Sequence, residues 1–550
     1  MPAPHFPTAS LLLLLAATTS SWAQTLPTID LGKSVHRAQL NATGEYYSFN
    51  NIPYAEPPLG ELRFRAPIPL LSVNRTVNDG SQPRKCLQSG APWFQHSIPL
   101  VIQRLMEGGI PPPSGPPPAV PGEQSEDCLL LDVSVPKAAY DAQVAGTLAK
   151  PLPVMVWIHG GGYIEGAKNE VNPAGLIAQS VRDGAPGIVF VAINYRLGLF
   201  GFPPRTQWMW DTASNAALLD QRLALEWVRF NIRRFGGDPK DITVIGESAG
   251  AGCIVSHLSA FGGIDFTLPF DRAIIQSPAI KPHQDATLST QLYNQFLSIA
   301  NVSSYSEARA KTSAELAAVN AAMIGTAPFA STVFGPTVDG LYIPDYPGEL
   351  LAKGRVNKNI EVIVAHNLDE GLLFTDPRIQ DDAGFRSYLA GLMPSAPASK
   401  INTLATTIYP PDFSGTQPYT NQVGRTKLAI AEGLIDCFAF GTSLAYSNQT
   451  RSYMFSVFPG MHAQDTSYTF FTGAPSDGLG IPVSADAAVT MQRWFVDFAA
   501  KGTGAGSTAT EIPLYGSAAN VANVTGTGFP VVRDPAANAR CKFWLTGLTA

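Results

Sequence analysis

Short apolar runs alternate with longer stretches of helical spacing along most of this chain. Residues 153–161 (PVMVWIHGG), 187–195 (GIVFVAINY), 242–247 (ITVIGE), 272–277 (RAIIQS), 360–367 (IEVIVAHN) and 452–458 (SYMFSVF) read as strands. Most are nearly continuous apolar runs rather than strict alternations, as expected when both faces of a parallel sheet are covered. Residues 215–236 (NAALLDQRLALEWVRFNIRRFG) and 484–502 (SADAAVTMQRWFVDFAAKG) place apolar side chains at helical spacing. This alternation predicts an α/β fold on a large, mainly parallel sheet flanked by helices. Two stretches break the pattern. Residues 108–123 (GGIPPPSGPPPAVPGE) exclude a helix or a central strand; the apolar 93–106 segment before them reads as a short helix. Residues 501–528, rich in Gly, Ser, Thr and Ala, read as a loose connection.

Composition narrows the class. Hydrophobic residues make up 45% and charged residues 15%, which excludes a disordered chain. The net charge of −6 comes without a basic stripe, so nucleic acid is not expected as a partner. The apolar run Leu11 to Ala17 is too short to span a membrane, and Ser21-Trp22-Ala23 puts small residues at −3 and −1 of a cleavage site. It reads as a secretory signal peptide cut after Ala23, leaving 24–550 as one enlarged domain. The C-terminal CKFWLTGLTA carries no hydrophobic tail for a lipid anchor, so no stable membrane anchor is expected. Secretion agrees with five N-x-S/T sequons, at Asn41, Asn74, Asn301, Asn448 and Asn523. Five cysteines leave one unpaired; Cys253, in an apolar helical stretch, is expected to be the buried free one.

The candidate chemistry begins at Asp241–Cys253 (DITVIGESAGAGC). A nucleophilic serine must stand clear of the sheet. A sharp strand-to-helix turn with small neighbours does that, and Gly246 and Gly250 flank Ser248 in this way. The following helix points the positive end of its dipole at the serine. A second strand ends in HGGGY (His159 to Tyr163), whose glycines leave backbone N–H groups free. The expected oxyanion donors are the N–H groups of Gly161, Gly162 and Ala249. In this chain order the base comes last. Of the histidines after Ser248, His257 lies in the helix that Ser248 opens, His283 has no strand before it, and His462 follows a strand. The base is therefore expected to be His462, with a histidine-like pKa that cuts activity in acid. The acid should follow the strand 360–367, where spacing leaves Asp369 and Glu370 open. His366 beside them suggests a metal site only weakly, because no second ligand cluster accompanies it.

These segments resemble the type-B carboxylesterase/lipase family, which includes cholinesterases and fungal secreted lipases. The likeness rests on NIPYAEPPLGELRFRAP from Asn51, SEDCLLLDV from Ser125, VMVWIHGGGY from Val154 and INYRLGLFGF from Ile193. It continues through ALLDQRLALEWV from Ala217, FGGDPKDITVIGESAGA from Phe235, AIIQSPA from Ala273 and HNLDEG from His366. It spans nearly all of the chain after residue 23. The resemblance implies the α/β-hydrolase fold and a serine esterase with no cofactor and no metal. It implies Glu370 as the triad acid, supporting roles for Glu247, Ser277 and Asp465, and a structural Arg196–Asp220 pair. It implies disulfides Cys86–Cys128 and Cys437–Cys541.

The departures matter as well. The tryptophan that binds choline in cholinesterases has no counterpart in PPPAVPGEQSEDC, so choline esters are not expected. The Cys86–Cys128 loop carries Trp93, Phe94, Leu100, Val101, Ile102 and Leu105, and reads equally as a mobile lid or a fixed cavity wall. The expected substrate is a small-molecule or lipid ester. An acyltransferase for a secondary metabolite would use the same triad, and a non-catalytic binding protein on the same fold is the remaining alternative.

Overall fold

The six runs read as strands all enter one eleven-stranded sheet. The computed structural model describes residue 1 and residues 26–113, 120–206, 209, 211–264, 268–281 and 286–548. The signal-peptide segment with its cut after Ala23, and His283, lie outside the described residues. In chain order the strands are β1 (Gln39–Asn41), β2 (Tyr46–Pro53), β3 (Leu130–Pro136), β4 (Leu152–Ile158), β5 (Val189–Ile193), β6 (Gly237–Glu247), β7 (Arg272–Gln276), β8 (Glu361–Asn367), β9 (Arg451–Phe455), β10 (Asn520–Val524) and β11 (Val531–Arg533). Their spatial order is β11-β10-β9-β8-β7-β6-β4-β5-β3-β2-β1. From β10 to β5 all neighbours are parallel. Antiparallel pairs close both edges.

The continuous apolar runs have the physical cause their pattern implies. Along β4, Val154, Val156 and Ile158 enter the core on one face, while Met155 and Trp157 enter the core on the other. β8 splits the same way, Val362 and Val364 against Ile363 and Ala365. Four helices matter for the site: α1 (Phe94–Glu107), α2 (Ala216–Asn231), α3 (Ala249–Leu258) and α4 (Ala485–Lys501). Helix α2 buries Leu218, Leu225 and Val228 on the first face; α4 buries Met491, Trp494, Phe495 and Phe498 on the second. The helical run Gln422–Ala445 is long and apolar enough to cross a membrane, but 78% of its apolar window is buried within the protein.

One expectation needs correction. The stretch 501–528 is not merely loose, because it contains β10, which pairs in parallel with β9. Its short NVANV run is easily missed among small polar residues. The cysteines pair as Cys86–Cys128 and Cys437–Cys541, and Cys253 is free and buried. The loops they close span 42 and 104 residues. In the chain-entropy account each stabilises the fold by roughly 4–5 kcal/mol. Such bonds persist in oxidising compartments.

Arg196 and Asp220 form a fully buried pair. Arg196 Nε and Nη2 each donate to the carboxylate at 2.7 Å, and the Arg196 backbone N–H adds a third bond at 3.1 Å. This ties the end of β5 to α2. Asp220→Ala strands a buried guanidinium and is expected to cost about 3–5 kcal/mol, measured by urea unfolding.

Candidate active site

At the end of β6 the backbone turns through Ser248, with φ 57° and ψ −125°, before α3 begins at Ala249. A non-glycine residue at positive φ is strained. The surroundings hold it there: Ser248 N–H donates to Gln276 O at 3.0 Å, and Ser248 O accepts from Gly252 N at 2.9 Å and Ala279 N at 3.1 Å. The flanking glycines are required by close packing. A Cβ on Gly250 would stand 2.1 Å from Ile158 O, and one on Gly246 would stand 2.9 Å from the Gly250 carbonyl carbon. Helix α3 therefore crosses the end of β4 at bare-backbone distance, which projects Ser248 Oγ above the sheet.

The loop after β9 delivers His462 to that hydroxyl. His462 Nε2 lies 2.8 Å from Ser248 Oγ, and Nδ1 lies 2.6 Å from Glu370 Oε2. Glu370 Oε1 accepts from the Asn367 N–H at 2.5 Å, which fixes the carboxylate. All three side chains are buried. The two acids that spacing left open go to different partners: Asp369 pairs with Lys427 at 2.7 Å, while Glu370 faces the imidazole. His366 points away, to Asp534 at 3.0 Å. His257 packs inside the molecule, against Tyr342 and Gln221. With Nδ1–H donating to Glu370, the Nε2 lone pair is left to accept the serine proton.

The supporting residues surround this chain of bonds. Glu247 Oε1 is 3.2 Å from His462 Nε2. Asp465 accepts from Tyr453 OH at 2.8 Å and from Gln276 Nε2 at 3.0 Å. Ser277 is buried, with φ 51° and its N–H on Ala365 O at 2.8 Å. Burial pulls the His462 pKa down, but Glu247 and then Glu370 outweigh it and raise it to about 9. This is higher than the histidine-like value the sequence suggested, because the interior concentrates carboxylates around one imidazole. Burial likewise lifts Glu247 to about 8 and Asp465 to about 6.

Above the serine lies a cavity of about 300 Å³, lined in part by Gly161, Gly162, Ser248, His462, Trp93 and Phe374. The backbone N–H groups of Gly161, Gly162 and Ala249 donate to no acceptor among the described residues. Unpaired donors at the end of two strands, beside a helix N-terminus, are suited to an oxyanion. The inner side of α1, through Val101 and Leu105, packs on Leu372 and Met461, neighbours of Glu370 and His462. Trp93 Nε1 donates to Ser331 O at 2.7 Å, and Trp93 packs on Phe374, which in turn meets the His462 ring at 5.0 Å. The serine turn and the glycine turn were readable from local motifs. Most of the cavity wall was not: Leu288, Leu292, Thr332, Leu392 and Lys281 carry no local signal, and Glu165 passed unnoticed in the glycine turn.

Residues 31–406 match the family model described as the carboxylesterase family. Carboxylesterase patB of Aspergillus clavatus is 36% identical, over 98% of this chain and 99% of its own. Lipase 5 of Diutina rugosa is 34% identical over 68% of this chain and 67% of its own. An inactive carboxylesterase-like protein, VdtD, from Byssochlamys spectabilis is 35% identical over 67% of this chain and 61% of its own. Among solved structures, Aspergillus niger EstA aligns with a TM-score of 0.76 at 24% identity, covering 94% of this chain and 98% of its own. These likenesses show an α/β-hydrolase fold.

With His462 as the proposed base, which must be neutral to accept a proton, kcat/KM is expected to rise with pH along a limb centred near 9. Glu247→Gln removes one attraction for the imidazolium and should move that limb toward lower pH. The pH profile of kcat/KM for both proteins checks this; an unmoved limb would leave Glu370 as the cause of the raised value.

Proposed function

The chain belongs to the carboxylesterase family and is a carboxylic ester hydrolase, and from that premise we propose that it acts through an acyl-enzyme on a Ser248-His462-Glu370 triad. The observation that carries this reading is the continuous pair of hydrogen bonds, 2.8 Å and 2.6 Å, joining the three side chains. Ser248 Oγ attacks the ester carbonyl while His462 Nε2 takes its proton. The carbonyl oxygen, now negative, sits against the N–H groups of Gly161, Gly162 and Ala249. His462 then gives its proton to the leaving alcohol as the C–O bond breaks. Water repeats the cycle and releases the acid and the free serine. Glu370 orients the imidazole and offsets its positive charge. These steps draw on no cofactor or metal.

The cavity supports a carboxylesterase with α1 as a fixed wall. Its inner face is packed on the segments that carry Glu370 and His462, and Arg104 lies 4.6 Å over the Phe458 ring. A lipase with a moving lid is the second reading. It is favoured by Ile98 and Met106, apolar residues of α1 that are 42% and 61% exposed. We extend the reading to a secreted glycoprotein, supported by the two disulfides and by the exposed sequon asparagines Asn74 and Asn301. Asn41 and Asn448 are half-buried, and Asn523 lies within β10.

The test is hydrolysis of 4-nitrophenyl esters from acetyl to palmitoyl by the wild type and Ser248→Ala. The serine variant is expected to lose about 10⁶-fold in kcat. Activity peaking on short, soluble esters with no rise at an oil–water interface is the expected pattern. A rise at an interface on long chains would favour the lipase reading. Activity retained by Ser248→Ala would sink the triad proposal, and none from folded wild type on any chain length would point to a specialised substrate or to a non-catalytic binding protein.

A further inference from the structure

We propose that Glu165 is a specificity-determining residue that binds a hydrogen-bond-donating group of the substrate, a hydroxyl or an ammonium N–H, beside the scissile ester. This rests on the acyl-enzyme reading of the same cavity. Glu165 lines that cavity with Ser248 and His462, and its side chain is open to the cavity solvent. Its carboxylate makes no hydrogen bond or ion pair with any described residue. The other polar side chains that line the cavity have partners of their own or belong to the reaction: Tyr163 OH donates to Ala279 O at 2.5 Å, and Ser331 Oγ accepts from Val333 N–H at 3.4 Å. Thr332 Oγ1 donates to Phe334 O at 3.0 Å, and Ser331 O receives Trp93 Nε1. Ser248, Glu247 and His462 form the reacting cluster, and Lys281 makes contacts of its own.

The position is rigid. Glu165 N–H donates to Gly161 O at 3.0 Å, and Glu165 O would stand 2.1 Å from a Cβ on Gly161. The residue is thus locked onto the turn that supplies two proposed oxyanion donors. A group held by its carboxylate would therefore bind within a side chain's length of those donors. The other side of the carboxylate is bounded by Gly90, where a Cβ would come within 3.2 Å of Oε2. The surrounding apolar wall includes Trp93, Phe94, Leu292, Phe374 and Leu392. A lone acceptor on such a wall rewards a donor and penalises a purely alkyl chain, because the alkyl chain would strip water from the carboxylate without replacing its bonds. Burial also raises the Glu165 pKa above the ordinary glutamate value, as a partly dehydrated acceptor requires.

The experiment compares matched esters by pH-stat: propyl butyrate against 3-hydroxypropyl butyrate and 3-(dimethylammonio)propyl butyrate, and ethyl hexanoate against ethyl 6-hydroxyhexanoate. Each is run with wild type, Glu165→Gln and Glu165→Leu, with thermal melts to check folding. The wild type is expected to favour a donor-bearing ester in kcat/KM by about tenfold or more over its alkyl match. Glu165→Leu should abolish that ratio. Glu165→Gln should keep part of a hydroxyl preference and lose an ammonium preference, which separates the two donors. Ratios near one for every pair in wild type, or a preference unchanged in Glu165→Leu, would overturn the proposal. Hydrolysis of propyl butyrate that vanishes in Ser248→Ala tests the underlying acyl-enzyme reading separately.

Discussion

The site depends on a steric constraint, the bare-backbone crossing of α3 over the end of β4. With 2.1 Å between Ile158 O and the place a Gly250 Cβ would occupy, no side chain fits. The helix can come this close only because small residues flank the turn. That closeness bends the chain through Ser248 at positive φ and lifts its hydroxyl out of the sheet. Hydrogen bonds from β7 and the loop beyond it hold the strained residue. The same crossing sets Ala249 N–H, at the start of α3, close to the glycine turn after β4. The positions of the proposed nucleophile and oxyanion donors are thus consequences of one packing contact.

Around this contact the interior gathers charge that an apolar core would otherwise reject. Glu247, Glu370 and Asp465 surround a single imidazole, all buried. Desolvation favours protons on Glu247 and Asp465, and the surrounding carboxylates favour a proton on His462. The cluster is therefore poised to hold and move a proton. Glu370 is tied down by the Asn367 N–H, and Asp465 by Tyr453 and Gln276. Glu247 keeps one oxygen facing Nε2. Two carboxylates with different anchoring thus act on different edges of one ring.

The disulfide-closed loop links chemistry to access. Helix α1 rests on Leu372 and Met461, so it touches the segments that carry Glu370 and His462. Trp93 and Phe374 continue this contact to the His462 ring. Movement of α1 would therefore be felt at the imidazole. Its exposed outer residues remain available to an apolar surface even when the inner side stays packed.

Local sequence determined what depends on local physics. Continuous apolar runs marked strands covered on both faces, helical spacing marked α2 and α4, and Gly246-Glu247-Ser248-Ala249-Gly250 marked a tight strand-to-helix turn. Chain order singled out His462, but residue spacing left Asp369 and Glu370 open, and only the resemblance pointed to Glu370. The tertiary structure sends Asp369 to Lys427 and Glu370 to His462, a choice made by a partner about sixty residues away and another about ninety away. It also decided that β10 lies in the sheet, that His462 binds its proton more tightly than a free histidine, and that Glu165 faces the cavity. Periodicity and backbone sterics are encoded within a few neighbouring residues. A pKa, a cavity wall and the direction of a carboxylate arise from segments hundreds of residues apart, and those distances exist only once the chain is folded.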